Sequence, residues 1–420
     1  MIPEKRAFLT SLFDAAVAAA DPQKTIFGFL PPRPKGRTVV IGAGKGVAQL
    51  ARAFEQSWDG PIEGVVVTRY GYAVSCERIK VLEASHPLPD AAGLAAAKEL
   101  LQMVSNLTED DLVVALVCGG GSALLPAPPA GLSLEDEIAL NCALLASGVP
   151  IAAMNSIRKH VSRIKGGRLA LAAAPAKVVS LVVSDIPGDN PAFVASGPTI
   201  PDRSTCEDAL AAIKRYRIEL PERIINHLQR KEAEAPRPDD KRFGKNEVHV
   251  IASARRSLEA AARAAENHGI RAAILSDAME GEAREAGKFH AALAREVATQ
   301  RRPFDHPVVL LSGGETTVTL RGNGKGGRNS EFLLSVALGI ENLEGVYALA
   351  ADTDGIDGSE DNAGAFADGG TATRIRAMDR DPEMLLANNN AWTAFSLLGD
   401  LFAPGPTGTN VNDFRAILIE

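Results

Sequence analysis

Paired cysteine spacing is missing from this sequence. Its four cysteines, Cys76, Cys118, Cys142 and Cys206, lie far apart, which leaves no redox pair and no cysteine-built zinc cluster. A chain of 420 residues needs no disulfide staples, so they read as reduced thiols of a cytoplasmic protein. Long apolar runs are missing too: no stretch reaches the roughly 18 residues expected of a membrane span. The opening MIPEKRAFLTSLFDAAVAAAD interrupts its apolar stretch with Asp14 and sets Phe8, Leu12, Phe13 and Ala16 at helical spacing. A packed amphipathic helix is expected there, not a signal peptide. A basic excess is also missing: the net charge of −7 argues against a nucleic-acid binder and means that any anion site must be built locally. No Ser-His-Asp order, short repeat or low-complexity tract is present.

What is there is an ordinary globular composition, 46% hydrophobic and 23% charged, with length for two or three domains. The polar, proline-bearing stretch RKEAEAPRPDDKRFGKN, 230–246, is the best boundary, and domains over 1–235 and 236–420 are expected. Apolar runs at 38–41, 65–68, 112–117, 177–183, 248–251, 272–275, 308–311, 346–350 and 416–419 read as strands, and helical patterns stand between most of them. The run at 112–117 is apolar on both faces, as in a parallel sheet covered by helices. A further period-2 strand is expected at 316–320, just before the glycine-rich loop GNGKGGR.

Five strands end in glycine-rich or acidic loops: GAGK, CGGGS, SDIPGD, SGGE and ADTDG. In open parallel sheets ligands bind beyond the carboxyl ends of strands, so these loops are expected to gather there. Lys45 sits at a strand-to-helix turn where it can reach a phosphate, or is a surface lysine beside a glycine turn. Its loop is not a dinucleotide fingerprint, since Val47 fills the third glycine position. Nor is it a Walker loop, since Val39 fills the first glycine position and Gly46 follows the lysine. Gly119, Gly120, Gly121 and Ser122 offer closely spaced amides, with Ser122 favoured for binding over nucleophilic attack because GGGS lacks the elbow pattern. In GNGKGGR, Gly322, Gly324, Gly326 and Gly327 let amides approach an anion, Lys325 and Arg328 add charge, and Asn329 or Ser330 can cap the next helix. The bland reading is a flexible connection.

The run NSIRKHVSRIKGGR, containing Lys159, packs five Lys or Arg into eleven residues; it reads as a solvated face or an anion pocket. His86, between Ser85 and Pro87, reads as a structural imidazole bonded to backbone before it reads as a base. Asp185 and Asp189, four residues apart around Pro-Gly, could hold magnesium through oxygens or serve as turn residues, and the aspartates of ADTDGIDG leave the same two readings open. Amide nests, isolated cations and carboxylates together are what phosphoryl transfer requires.

GAGKGVA, EASHPLPD, CGGGSALLPAP, NSIRKHVSRIKGGRLA, SDIPGDNPAFVASGPT, LSGGETTVTLRGNGKGGRNSEF, ADTDGIDG and PGPTGTNVND, in that order, closely resemble the class II glycerate 2-kinases, whose C-terminal region is the MOFRL domain. The resemblance implies an α/β fold of two domains with mostly parallel sheets flanked by helices, the N-terminal one Rossmann-like and the C-terminal one of MOFRL type, with the active site in the interdomain cleft. It implies phosphorylation of D-glycerate at the 2-hydroxyl by ATP with Mg2+ to give 2-phosphoglycerate and ADP. Catalytic roles fall on Lys45 and Arg328; Gly119, Gly120, Gly121, Ser122, Lys159 and Asp185 become nucleotide-binding candidates, and Asp189 and Glu315 magnesium ligands or hydroxyl activators. Partners are then the small molecules D-glycerate and ATP, with no nucleic acid or membrane and with room for a homodimer. Ala403-Pro404 and Asn390 depart from the family pattern and bear on substrate preference. The strongest rival is an NADP-dependent hydroxypyruvate reductase, for which Arg69 after the second strand could meet a 2′-phosphate. A cleft that senses a sugar phosphate or glycerate without turnover is a third reading, against which Lys45 and Arg328 stand.

Overall fold

A computed structural model of the chain describes residues 1–420, the side chain of Lys231 excepted. Twelve strands form two sheets of six. The first contains β1 Thr38–Ala43, β2 Glu63–Arg69, β3 Ile79–Ala84, β4 Leu112–Cys118, β5 Lys177–Val183 and β6 Glu247–Ala252, in the order β3-β2-β1-β4-β5-β6. The pairs from β3 through β5 are parallel. This is the Rossmann order, with its reversal between β1 and β4. Every residue of β1 and β4 is buried, the expected consequence of an apolar run covered on both faces. Alternate residues Val39, Ile41, Val113, Ala115 and Val117 share one core with Ala96, Ala97 and Leu100 of the helix Ala91–Met103.

The second sheet contains β7 Arg271–Met279, β8 Val308–Gly314, β9 Val346–Asp352, β10 Gly364–Asp368, β11 Leu401–Phe402 and β12 Asp413–Ile419, in the order β11-β10-β9-β12-β8-β7. Here the expectation of a mostly parallel sheet needs correcting. Only β7 and β8 pair in parallel; β12 inserts between β8 and β9 antiparallel to both, and β10 returns antiparallel beside β9. The period-2 face logic still holds along β8: Val308 and Leu310 enter the core under the helices Ala283–Gln300 and Arg328–Gly339, whereas Val309 and Leu311 enter the opposite one.

That opposite core is closed by the N-terminal helix Pro3–Ala18, whose Leu9, Leu12, Phe13 and Ala16 are buried as their spacing predicts. Phe13 meets Phe402 and Phe414 edge-on at 5.0 and 5.8 Å, and Ser257 Oγ donates to the Ala16 carbonyl at 2.8 Å. The first helix therefore belongs with the last strands. The chain divides into two compact units, Thr25–Ile251 and Met1–Lys24 with Ala252–Glu420. They break at 24/25 and 251/252, not at the expected 235/236, because β6 completes the first sheet and the opening helix covers the second.

The strand expected at 316–320 does not form. Only Thr317 makes a bridge, to Glu282, and Thr319 is bound by the Glu282 carboxylate instead of by a neighbouring strand.

Candidate active site

In the unit formed by residues 25–251, the turns after β1 and β4 lie at the point where the strand order reverses. Lys45 is fixed between them by its backbone: its amide donates to the Gly119 carbonyl at 2.9 Å, and its own carbonyl accepts from Thr68 Oγ1 at 3.1 Å. Its side-chain stem runs over Gly120, where an added Cβ would stand 3.0 Å from Lys45 Cγ and 3.2 Å from the imidazole of His86. Gly120 has φ +79°, so a glycine is needed there for conformation as well as for space. At Gly119 an added methyl would collide with the Asp185 carboxylate, which brings the end of β5 to the same turn.

Ser122 lies in the short helical turn Gly121–Leu124, and its hydroxyl pairs with that of Ser196 at 2.8 Å. Ser196 and its neighbour Ala195 both sit in the left-handed region, at φ 60° and 51°. Such strain costs on the order of 1–3 kcal/mol per residue and persists only where the surroundings impose it. The IKGG stretch does so: Gly166 and Gly167 amides donate to the carbonyls of Ser196 and Gly197 at 3.0 and 2.7 Å. Ser196 gave no signal in the sequence beyond its motif.

His86 differs from its expected structural role. Among the described residues its ring has no hydrogen-bond partner. Burial, together with Lys45, Arg69 and Arg158, pushes it down to about 4, so the imidazole is neutral in a positive field. Lys159 also differs. It is fully buried, ion-paired with Asp202, with its ammonium 5.0 Å from the Phe193 ring centre. Burial pulls it down to about 7, while the Asp202 carboxylate opposes that loss of charge. The side chain is therefore committed to the packing of its own helix, Ile151–His160, and is not presented to a nucleotide. Asp189 is half-buried in a tight turn at φ 54°, its amide bonded to the Ile186 carbonyl at 3.0 Å.

In the other unit, strand register assembles the site. Asp413 at the start of β12 pairs with Gly314 at the end of β8 on one side and with Asp352 at the end of β9 on the other. Arg328, first residue of the helix Arg328–Gly339, places its guanidinium among these ends. Nε donates to Asp413 Oδ1 at 2.6 Å, Nη2 to Asp352 Oδ2 at 2.6 Å and Nη1 to Glu315 Oε1 at 3.4 Å. The three carboxylates outweigh burial and hold Arg328 firmly protonated. Asp413 is wholly buried; Arg415 and Arg328 overcome the burial cost and keep its carboxyl below the usual range. Asp352 moves the other way, well up, because it is buried and close to Asp354 and Asp413. Glu315 is half-exposed. Asp352 and Asp413 were visible only as members of ADTDG and TNVND, since nothing in either stretch shows that an arginine some 24 or 85 positions away will meet them.

In the glycine-rich loop before Arg328, the amides from Arg321 to Lys325 are taken up by the fold and are not free for an anion. Asn389 Oδ1 accepts from the Arg321 and Gly322 amides at 2.7 and 3.0 Å, Asn388 accepts from Asn323 and Gly324, and Asn390 Oδ1 accepts from Lys325 at 3.0 Å. The helix is capped neither by Asn329 nor by Ser330; Gly327 is the cap residue, and the Asp357 carboxylate accepts from both of those amides at 2.9 and 2.8 Å. Lys325 is paired with Glu360 at 3.3 Å. Asn390 thus acts as a loop clamp, a role that its departure from the family pattern did not suggest.

The structure thus brings Lys45, Gly119, Gly120, Gly121, Ser122 and Asp185 together in one unit and Arg328 and Glu315 together in the other, while Asp189 and Glu315 belong to different units. Among the described residues, the one close trio of His, Cys, Asp or Glu side chains suited to a metal is His160, Cys206 and Glu234, none of them expected to ligate. All four cysteines are free thiols, and no helix is long and apolar enough to cross a membrane.

Residues 8–229 match a family described as a domain of unknown function (DUF4147), and residues 308–413 match the MOFRL family. A Thermotoga maritima protein named D-glycerate 2-kinase is 40% identical over 96% of this chain and 96% of its own. A crystal structure of glycerate kinase from Thermotoga maritima covers 100% of both chains with a TM-score of 0.91 at 39% identity. An Agrobacterium vitis protein carrying a hydroxypyruvate reductase name is 49% identical over 99% of this chain and 94% of its own.

Proposed function

The chain belongs to the MOFRL-containing glycerate 2-kinase family, and on that premise we propose that it transfers the γ-phosphoryl group of ATP to the 2-hydroxyl of D-glycerate. The products are 2-phosphoglycerate, ADP and a proton. The observation that carries this reading is the turn at the reversal of the first sheet, where the Lys45 stem and the His86 ring lie on the closely packed Gly119–Gly121, and burial together with Lys45, Arg69 and Arg158 holds that ring neutral. Phosphates are the ligands such strand ends favour.

In this mechanism Lys45 neutralises phosphate oxygens, and the Gly119–Ser122 turn admits them close to the backbone. Arg328, held on Asp413 and Asp352, enters the reaction with its orientation set, and stabilises either the transferring phosphoryl group or the glycerate carboxylate. A hard divalent cation suits the all-oxygen donors of the acidic strand ends. Asp189 and Glu315, each within its own unit, are the carboxylates we assign as candidate Mg2+ ligands, where the cation would offset phosphate charge; a carboxylate that stays free of metal can accept the proton of the 2-hydroxyl. Location in the cytoplasm, suggested by the unpaired thiols, is part of the same proposal.

The test is ADP release from ATP, Mg2+ and D-glycerate, with the product offered to enolase. An enolase-competent product is expected. The second reading, reduction of hydroxypyruvate by NADPH, has two supports: the name carried by the Agrobacterium vitis relative, and Arg69 at the end of β2. NADPH consumption with hydroxypyruvate, in the absence of ADP formation, would replace the kinase reading by that one.

A further inference from the structure

The basic run at 158–168 holds five lysines and arginines, and the structure sorts them by what each one faces. Lys159 is tied to Asp202. Lys165 is tied to Glu137 and to the Leu125 carbonyl at 3.0 Å, and Arg168 spans the carbonyls of Ala233 and Glu234 at 2.8 and 3.0 Å. Arg163 is exposed. Arg158 is the remaining one: its Nε is buried without a hydrogen-bond partner, and among the described residues its guanidinium has no ion pair.

A guanidinium is not neutralised when it is buried, so an unmatched one is costly unless something outside the chain supplies the missing anion. Glu137 is the carboxylate whose charge acts on Arg158, and Lys165 already engages it. The surroundings of the Arg158 helix can be traced through contacts. That helix, Ile151–His160, rests on the strained 193–196 segment, where Asn155 Nδ2 donates to the Phe193 carbonyl at 3.5 Å. That segment meets the glycine turn through Ser196 and Ser122, and Ala195 fills the space beside Gly121. Arg158 is also close enough to His86 to act on its charge together with Lys45, and the His86 ring and the Lys45 stem both lie on Gly120. Lys159, one position on and about 100° round the helix, turns away to Asp202 and Phe193. Adjacent residues of one basic run therefore have different tasks.

We propose that Arg158 is a second anion anchor of this site, binding a substrate oxyanion in the space it shares with Lys45 and His86. The inference rests on the kinase reading for the identity of that oxyanion, a carboxylate of D-glycerate or a phosphate of ATP. The planar fork of arginine suits either group.

Arg158→Met keeps the apolar stem and removes the charge; Arg158→Lys keeps a charge without the fork. Steady-state kinetics of the two variants separate the sources. A KM for D-glycerate raised about tenfold or more in Arg158→Met, with that for ATP little changed, assigns the carboxylate; the opposite pattern assigns a phosphate. Arg158→Lys is expected to recover part of the loss. Unchanged KM values for both substrates would overturn the proposal. Thermal unfolding supplies a readout that needs no turnover: without ligand Arg158→Met is expected to be as stable as the parent or more so. Its stabilisation by D-glycerate, ATP or inorganic phosphate should be smaller. A less stable unliganded variant that responds fully to all three ligands would make Arg158 a packing residue and sink the idea. If the parent forms no ADP but its stabilisation by these ligands still depends on Arg158, the anchor stands and the kinase reading falls.

Discussion

Lys45 and Arg328 are both cations at strand ends, but removing each would cost different things. The Lys45 backbone is held by Gly119 and Thr68, and these bonds do not involve its side chain. Lys45→Ala should therefore unfold like the parent while turnover falls on the order of 10²-fold or more, the usual effect of losing a charge-stabilising contact. Arg328→Ala should lose turnover as well, but it also strips Asp413 and Asp352 of their counter-ion. Breaking a buried pair from one side costs roughly 3–5 kcal/mol. Thermal unfolding of the two variants beside their kcat values checks the contrast; an Arg328→Ala protein as stable as the parent would show that the carboxylates do not depend on it. A sequence reading could see both residues as isolated cations next to glycines. It could not see that one side chain lies with its stem on Gly120 and the other is the hub of three carboxylates.

At the scale of elements, the loop 321–327 and the helix it precedes are held by side chains from elsewhere in the chain. Asn389 is the centre of that clamp: it is buried, accepts two loop amides, and donates to Glu331, which is itself bound by Arg284 at 2.8 Å. Asn389→Ala is expected to free the Arg321 and Gly322 amides, so that hydrogen exchange across 320–326 accelerates while the strands keep their protection. Uniform exchange in parent and variant would show that the loop holds itself. Asp357 performs a similar service for the helix amides of Asn329 and Ser330. The glycine spacing of this loop had suggested an anion nest, because glycine-rich sequence before a helix usually leaves amides free. Three consecutive asparagines, some 65 residues further on, take the amides of Arg321 to Lys325 into the fold, those of Gly322 and Gly324 among them.

Over the whole molecule, each compact unit contains a histidine that folding keeps neutral. His86 lies in the 25–251 unit and His290 in the other. Burial drives His290 down to about 4, where its Nδ1 donates to the Ala286 carbonyl at 2.8 Å and Nε2 pairs with Ser312 at 2.9 Å. The folded value lies below that of the unfolded chain, so between pH 6.5 and 4 the unfolded state binds more protons. Stability from this source is complete above pH 6.5 and is lost as the pH falls, by roughly 3 kcal/mol for a group as buried as His290. Unfolding temperatures should therefore decline between pH 6.5 and 4.5, and His290→Gln should flatten the slope; an equal slope in both proteins would remove His290 as its source. The sequence by itself determined the αβ alternation, the fully buried β4, the amphipathic first helix and the family, because periodicity and ordered motifs are local properties of a chain. Local pattern also placed Lys45 and the Gly119–Ser122 turn at strand ends. Tertiary structure alone decided that β12 runs antiparallel between β8 and β9, that the opening helix covers the second sheet, and that Lys159 is tied to Asp202. Each of these depends on which distant surface an element meets, and a burial or a charge pair formed across hundreds of residues leaves no period in the sequence.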